Sequence, residues 1–181
     1  MIGHKIKIDP LDKLFSAYIR SRDGWTCRRC KDEFNPATRS QWLDCAHIIP
    51  RRSWSVRLDE RNAIALCKWK CHKWWHSNPT KTKDWLLDEI MTELEYQALD
   101  IRANQRGFKR NQMDIGLIEL ELLQKIDDQF DMLDGYAHKT CSNKFRDAAM
   151  EYLLRTKQVY LDGKIPKEIR KALRRQNGKV R

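Results

Sequence analysis

Apolar positions along this chain of 181 residues keep helical spacing near both ends and strand-like runs in between. Leu11, Leu14, Phe15, Tyr18 and Ile19 recur three and four apart, so they share one helical face. Asp9 before them suits an N-cap and Pro10 a first helical position, while Gly24 marks the end. Residues 42–49 predict a strand stopped by Pro50, residues 62–66 a second short strand or turn, and residues 67–77 a helix ending at Asn78-Pro79. The stretch 50–61 between the strands is a basic loop.

Beyond Pro79 the pattern is helical. Residues 81–104 predict one or two amphipathic helices through Trp85, Leu86, Ile90, Leu94, Tyr96 and Leu99. Ile115, Ile118, Leu122, Ile126 and Phe130 predict a helix over 113–133. Phe145, Ala149, Tyr152, Leu153 and Val159 predict another over 143–161, and a short basic helix is expected over 166–176. The polar spacer 104–112 is the best boundary, giving a first unit of residues 1–105 and a helical extension of 106–181 with a basic tail. The expected class is α+β, mostly helical.

Charge changes the picture because it is unevenly placed. The net charge of +11 divides into +10 over residues 1–83, −6 over 84–162 and +7 over 163–181. Such segregation is the footprint of a phosphate-backbone partner, against a plain solvated surface as the alternative. No stretch approaches the ~18 apolar residues of a membrane span, and residues 1–9 lack the features of a signal peptide. Six cysteines without such a signal point to a reducing, cytoplasmic setting in which thiolates hold metal.

Four of those cysteines are paired along the chain, Cys27-x2-Cys30 and Cys67-x3-Cys71. A knuckle places two thiolates on one turn, and a second pair closes a tetrahedral zinc shell. The x3 spacing of the second pair is one residue longer than the usual knuckle, and four buried thiols without metal are the alternative. Cys45 and Cys141 have no partner pattern and are read as core thiols.

Histidines cluster around the same pairs. His72 and His76, four apart on the expected helix, can hold one divalent cation, Mg²⁺ or Mn²⁺. His47 at the end of the preceding strand is placed to act as a general base, and Asn62 to hydrogen-bond its side chain or backbone. Arg51, Arg52 and Arg57 follow His47, and Lys68, Lys70 and Lys73 interleave with Trp69, Trp74 and Trp75; all six cations are candidates for DNA contact. All seven Trp lie between positions 25 and 85, where most are expected to fill a small core.

Cys45-Ala-His47-Ile-Ile-Pro50, then Asn62-Ala-Ile-Ala-Leu-Cys67, then Cys71-His72, resembles the zinc-braced branch of the HNH nucleases. The run from Asp9 to Cys27, with Asn78-Pro79, Trp85 and a Tyr96/Leu99 helix, is similar to the lambdoid phage NinG (Rap) recombination nucleases over about residues 9–105. The resemblance implies a ββα-metal core and DNA hydrolysis at Holliday junctions, displacement loops or flaps. It implies His47 as base, Asn62 as orienting residue and His72 as metal ligand, with His76 matching the second helix His of some members. Ala46 departs from the pattern, because many members carry Asp or His there; Asp44 and Cys45 are then the further candidates. Two other readings remain at this stage: a non-catalytic zinc module that binds nucleic acid, and an HNH restriction, homing or packaging enzyme. The acidic, amphipathic helices over 113–161 suit either an intramolecular pair or a homodimer face.

Overall fold

The computed structural model describes residues 9–105, 112–135 and 143–164. The expected helix over 166–176, Cys141 and most of the 104–112 spacer lie outside the described residues. The fold is α+β and mostly helical, around a sheet of two strands. In order, the elements are α1 (Pro10–Arg22), α2 (Pro36–Arg39), β1 (Leu43–His47), β2 (Ala63–Cys67), α3 (Lys73–Ser77), α4 (Pro79–Glu89), α5 (Glu93–Ala103), α6 (Gln112–Gly135) and α7 (Asn143–Lys164). Among the described residues no helix is long and apolar enough to cross a membrane.

α1 begins where the sequence indicates. Asp9 accepts a hydrogen bond from the Asp12 backbone N–H, and the Asp12 carboxylate accepts one from the Asp9 N–H, closing a reciprocal capping box. Gly24 follows the helix at φ 64°, the left-handed conformation glycine adopts freely. Trp25 adopts the same region at φ 55°, unusual for a bulky residue; it is held there by complete burial and by edge packing on Tyr152, with ring centroids 4.8 Å apart.

β1 and β2 pair antiparallel, with Leu43 opposite Cys67 and His47 opposite Ala63. Every residue of β2 is buried, while β1 alternates more loosely. α1 lies against this hairpin on one side and against α6 and α7 on the other. Leu11, Leu14, Phe15, Tyr18 and Ile19 share a core with Cys45, Leu122, Ile126 and Tyr160. A second core joins Trp25, Leu43, Ala46, Leu66 and Trp75 to Ala149 and Leu153. Burying a side chain of this size contributes about 1.5–3 kcal/mol, so α6 and α7 are held by the same apolar surface that positions the hairpin.

Several expectations are met with shifted edges. The strand expected over 42–49 forms over 43–47, and the uncertain segment after Asn62 is a true strand. The region 81–104 divides into two helices, α5 being started by a Thr92–Glu95 capping box. Residues 67–77 are not one regular helix: a π-helical turn, Lys68–His72, precedes α3. Of the tryptophans, Trp25 and Trp75 are buried, whereas Trp42, Trp54 and Trp69 are exposed, so the core is less tryptophan-rich than the sequence suggests.

Candidate metal centre and histidine sites

The four paired cysteines converge at one end of the hairpin. Their sulfurs all lie within 4.8 Å of one another, and the Cys30 and Cys67 sulfurs are 3.7 Å apart. A tetrahedron with Zn–S bonds of about 2.3 Å has edges of about 3.8 Å, so this thiol set fits zinc. The first pair sits on a knuckle closed by the Lys31 N–H donating to the Cys27 carbonyl at 2.9 Å, with Lys31 at φ 62°. The Arg28 N–H ties this knuckle to β2 through the Ala65 carbonyl. The x3 spacing of the second pair is absorbed by the π-helical turn. It accommodates the additional residue, and the Cys71 N–H donates to the Cys67 sulfur at 3.3 Å.

The charge around the sulfurs is managed by the chain. Burial opposes ionisation of Cys27, yet the backbone N–H groups of Cys30, Cys67 and Arg29 bring its thiol below the ordinary range. Burial pushes the Cys71 thiol up to about 11, reinforced by the neighbouring Cys27. Arg29 donates to the Cys71 sulfur at 3.8 Å, with its guanidinium stacked 3.6 Å over Trp74. Cys45 is not part of this group; it faces α1 as a buried thiol pushed up to about 12 by desolvation.

A second group of donors lies beside the cysteines. The Nε2 atoms of His72 and His76 are 3.1 Å apart. That is the separation of two nitrogens at neighbouring positions around one ion with bonds of about 2.1 Å. On its other side, His72 Nδ1 lies 2.8 Å from Asp44 Oδ2. A carboxylate there fixes the ring and leaves the Nε2 lone pair facing His76, with which it shares a hydrogen bond. Partial desolvation together with the facing His72 lowers the pKa of His76. Asp44 thus stands behind a histidine, as a support for a ligand.

His47 occupies the opposite end of the hairpin from Cys67 and the opposite face of β1 from Asp44. Phe15 packs on its ring from α1, with centroids 5.9 Å apart. Its Nε2 lies 2.9 Å from the Arg57 carbonyl, which makes Nε2 the protonated nitrogen. Nδ1 is then free to accept, and Arg51 Nε donates to it at 3.3 Å. Burial, with the Arg51 charge adding to it, lowers the His47 pKa to about 4. No hydrogen bond or ring contact joins His47 to His72 or His76; Asp44 and His47 are three residues apart on an extended strand, about 10 Å between α-carbons.

Asn62 is completely buried and makes no hydrogen bond to the His47 side chain. Its Oδ1 accepts from the Ile49 N–H at 2.7 Å, and its Nδ2 donates to the Ile49 and Val56 carbonyls at 3.0 and 2.9 Å. The side chain therefore clamps the loop after His47, and the ring itself is oriented by the Arg57 carbonyl carried on that loop.

Arg57 departs from its expected role in DNA contact. It is 3% exposed and grips Asp12 through one guanidinium edge, Nε to Oδ1 at 2.7 Å and Nη2 to Oδ2. A guanidinium buried in a bidentate pair cannot reach a phosphate, so Arg57 is a structural residue. The remaining candidates stand at the surface: Arg52, Lys68, Lys70 and Lys73 are exposed and Arg51 is half-buried. Trp69 is 72% exposed beneath Lys68, whose ammonium lies 5.2 Å from the ring centre. The Asp12–Arg57 pair was not legible in advance, because the partners are 45 residues apart and neither sits in a motif. Comparison of the chain with protein-family models, with curated proteins and with solved structures gave no match.

Proposed function

We propose that the chain is a zinc-braced, divalent-metal-dependent endonuclease of the HNH type, hydrolysing phosphodiester bonds in DNA. The substrate class implied by its resemblance is the branched intermediate of phage recombination, a four-way junction, displacement loop or flap. The observation that carries the reading is the facing pair of imidazole nitrogens on His72 and His76, with Asp44 behind one of them. A module that needs zinc only to fold has four thiolates for that purpose and no use for a second, exposed donor pair. The order strand, clamped loop, strand, helix over residues 43–77 also matches the order of a ββα-metal unit.

His47 is the base. Its protonated Nε2 is anchored by the Arg57 carbonyl, so Nδ1 is the atom that takes a proton from water. A pKa of about 4 makes the free histidine a weak base. A phosphate bound at Arg51 draws that guanidinium off Nδ1 and adds negative charge nearby, and both changes raise the His47 pKa towards neutrality. Arg51 therefore grips the phosphate and sets the strength of the base. An ion on His72 and His76 would supply stabilisation of the charge on phosphate and leaving oxygen. Imidazole donors favour a first-row transition ion such as Mn²⁺ over Mg²⁺.

One observation favours a second reading, a nucleic-acid-binding zinc module without catalysis: His47 and the His72–His76 pair have no contact and lie on opposite faces of β1. Cleavage assays decide between them. Purified zinc-loaded chain is incubated with matched four-way, flap and linear duplex DNA in Mn²⁺ or Mg²⁺. Nicking of the branched substrates ahead of linear duplex supports the nuclease. Binding without cleavage in either metal supports the second reading.

A further inference from the structure

A groove of about 540 Å³ lies between α1 and α7, with Arg51 among its lining residues. On α1 the wall is formed by Pro10, Lys13, Ser16 and Arg20; on α7 it is formed by Tyr152, Arg155, Val159 and Gly163. Both sets follow helical spacing, so each is one stripe of its helix facing the other. The groove is cationic: Lys13, Arg20, Arg51 and Arg155 line it, against Asp12 alone. Asp12 pairs with Arg57 and also interacts with Arg51, so four cations against one acid leave the lining at a net charge of +3. Two other grooves among the described residues are balanced. One, between α1 and α6, sets Asp59, Glu60 and Glu121 against Arg61, Arg102 and Lys125, and another sets Asp23, Glu60 and Glu95 against Arg22, Arg28 and Arg61.

We infer that the α1–α7 groove is a channel for one strand of nucleic acid, leading away from His47 with its phosphates on Lys13, Arg51 and Arg155. The inference rests on the nuclease reading and extends it, by giving the helical extension a part in substrate binding. Arg51 is the junction of the two sites, since its Nε touches His47 Nδ1. Arg20 is not a free cation here: it donates to the Ser16 and Ser40 carbonyls and to the Tyr152 hydroxyl, and so serves to tie α7 to α1. Lys13 and Arg155 are exposed, and no described acidic residue pairs with either. Like charges held across a groove without an acid between them repel, and an anion lying between them reverses that term.

The groove's dimensions favour a single strand. Its volume suits one or two nucleotides, and a duplex of ~20 Å width cannot enter a channel of the size that holds small ligands. Its aromatic residues are spent on the protein, Tyr160 in the core and Tyr152 against Trp25 and Arg20, so the ligand presents its backbone and not its bases.

The test is fluorescence anisotropy with the zinc-loaded full chain, without added Mg²⁺ or Mn²⁺, on a labelled 12-nucleotide single strand and a 12-base-pair duplex. The Lys13→Ala/Arg155→Ala variant is compared with wild type and with Lys81→Ala/Arg39→Ala, which removes two exposed charges elsewhere. Each lost phosphate contact lowers the slope of log affinity against log salt by about 0.7 for a single strand. The groove variant should therefore lose about 1.4 in slope and about tenfold in single-strand affinity near 0.1 M salt, with a smaller loss on duplex and in the control. Wild-type slope and affinity in the groove variant would overturn the channel and leave the nuclease reading standing. Equal losses on duplex, or in the control variant, would overturn the single-strand assignment. Failure of wild type to bind either DNA would remove both readings.

Discussion

Replacing Asn62 with alanine probes the clamp on the loop that follows His47. Asn62 is fully buried, and its amide satisfies the N–H and the carbonyl of Ile49 and adds a second donor to the Val56 carbonyl. The Val56 carbonyl keeps the Asp59 N–H at 3.2 Å, so the substitution strips partners from two buried groups. Each buried group left unpaired costs about 1–3 kcal/mol, which gives a loss of about 4 kcal/mol. That is a large share of the ~5–15 kcal/mol typical of a folded domain. With a urea dependence of about 2 kcal/mol/M, the unfolding midpoint falls by about 2 M. The same loop carries the Arg57 carbonyl that anchors His47 Nε2, so a loosened loop lets the His47 pKa rise from about 4 towards 6.5. Urea unfolding and NMR titration of the His47 ring measure the two effects. A midpoint within 0.5 M of wild type (about 1 kcal/mol at that slope) with an unchanged His47 titration would refute the reasoning.

Other outcomes follow from the geometry. Cys71→Ser should lose one tightly held zinc by metal analysis and unfold the module, since structural zinc supplies an apparent ~10–16 kcal/mol and Cys71 is one of the four converging thiols. Arg57→Met leaves the Asp12 carboxylate buried and unpaired and should cost about 3–5 kcal/mol in chemical denaturation, whereas Asp12→Leu/Arg57→Met should recover most of it. Stability should also decline in acid in two stages. His47 has a folded pKa below its unfolded value, so its contribution is complete above pH 6.5 and is lost as pH falls towards about 4. Asp12, lowered by Arg57 against the penalty of burial, loses its contribution only below its ordinary value of 3.8. In catalysis the acid limb of kcat/KM, which reports free enzyme, should lie near pH 4, and that of kcat should lie higher because bound phosphate raises the His47 pKa.

Much of this is legible in the sequence where the signal is local. The Asp9-Pro10 start of α1, the existence of the first strand and the apolar faces of α6 and α7 follow from neighbouring residues. The cysteine pairs are readable for the same reason, since a knuckle is built within four residues. The x3 spacing is taken up by a π-helical turn in which the Cys71 N–H donates to the Cys67 sulfur, a detail that spacing alone does not give. Long-range pairing is where the reading stopped. Nothing near Arg57 announces Asp12, and the basic run at 51–57 reads as a uniform surface although one member is buried. Asp44 was readable as a candidate near the site, yet its support of His72 depends on how β1 meets the turn before α3. Asn62 was placed correctly near His47 and given the wrong contact, because its partners are backbone groups of a loop without regular pattern.

The central claim is that His47 is the base of a metal-dependent nuclease whose zinc module is a scaffold. The most direct measurement compares wild type and His47→Ala in single-turnover nicking of a four-way DNA junction with Mn²⁺, at equal zinc content and equal DNA binding. The account predicts that His47→Ala loses about 10²–10⁴-fold in rate, the contribution of a positioned general base, while binding and zinc are retained. Equal nicking by the two proteins would contradict it.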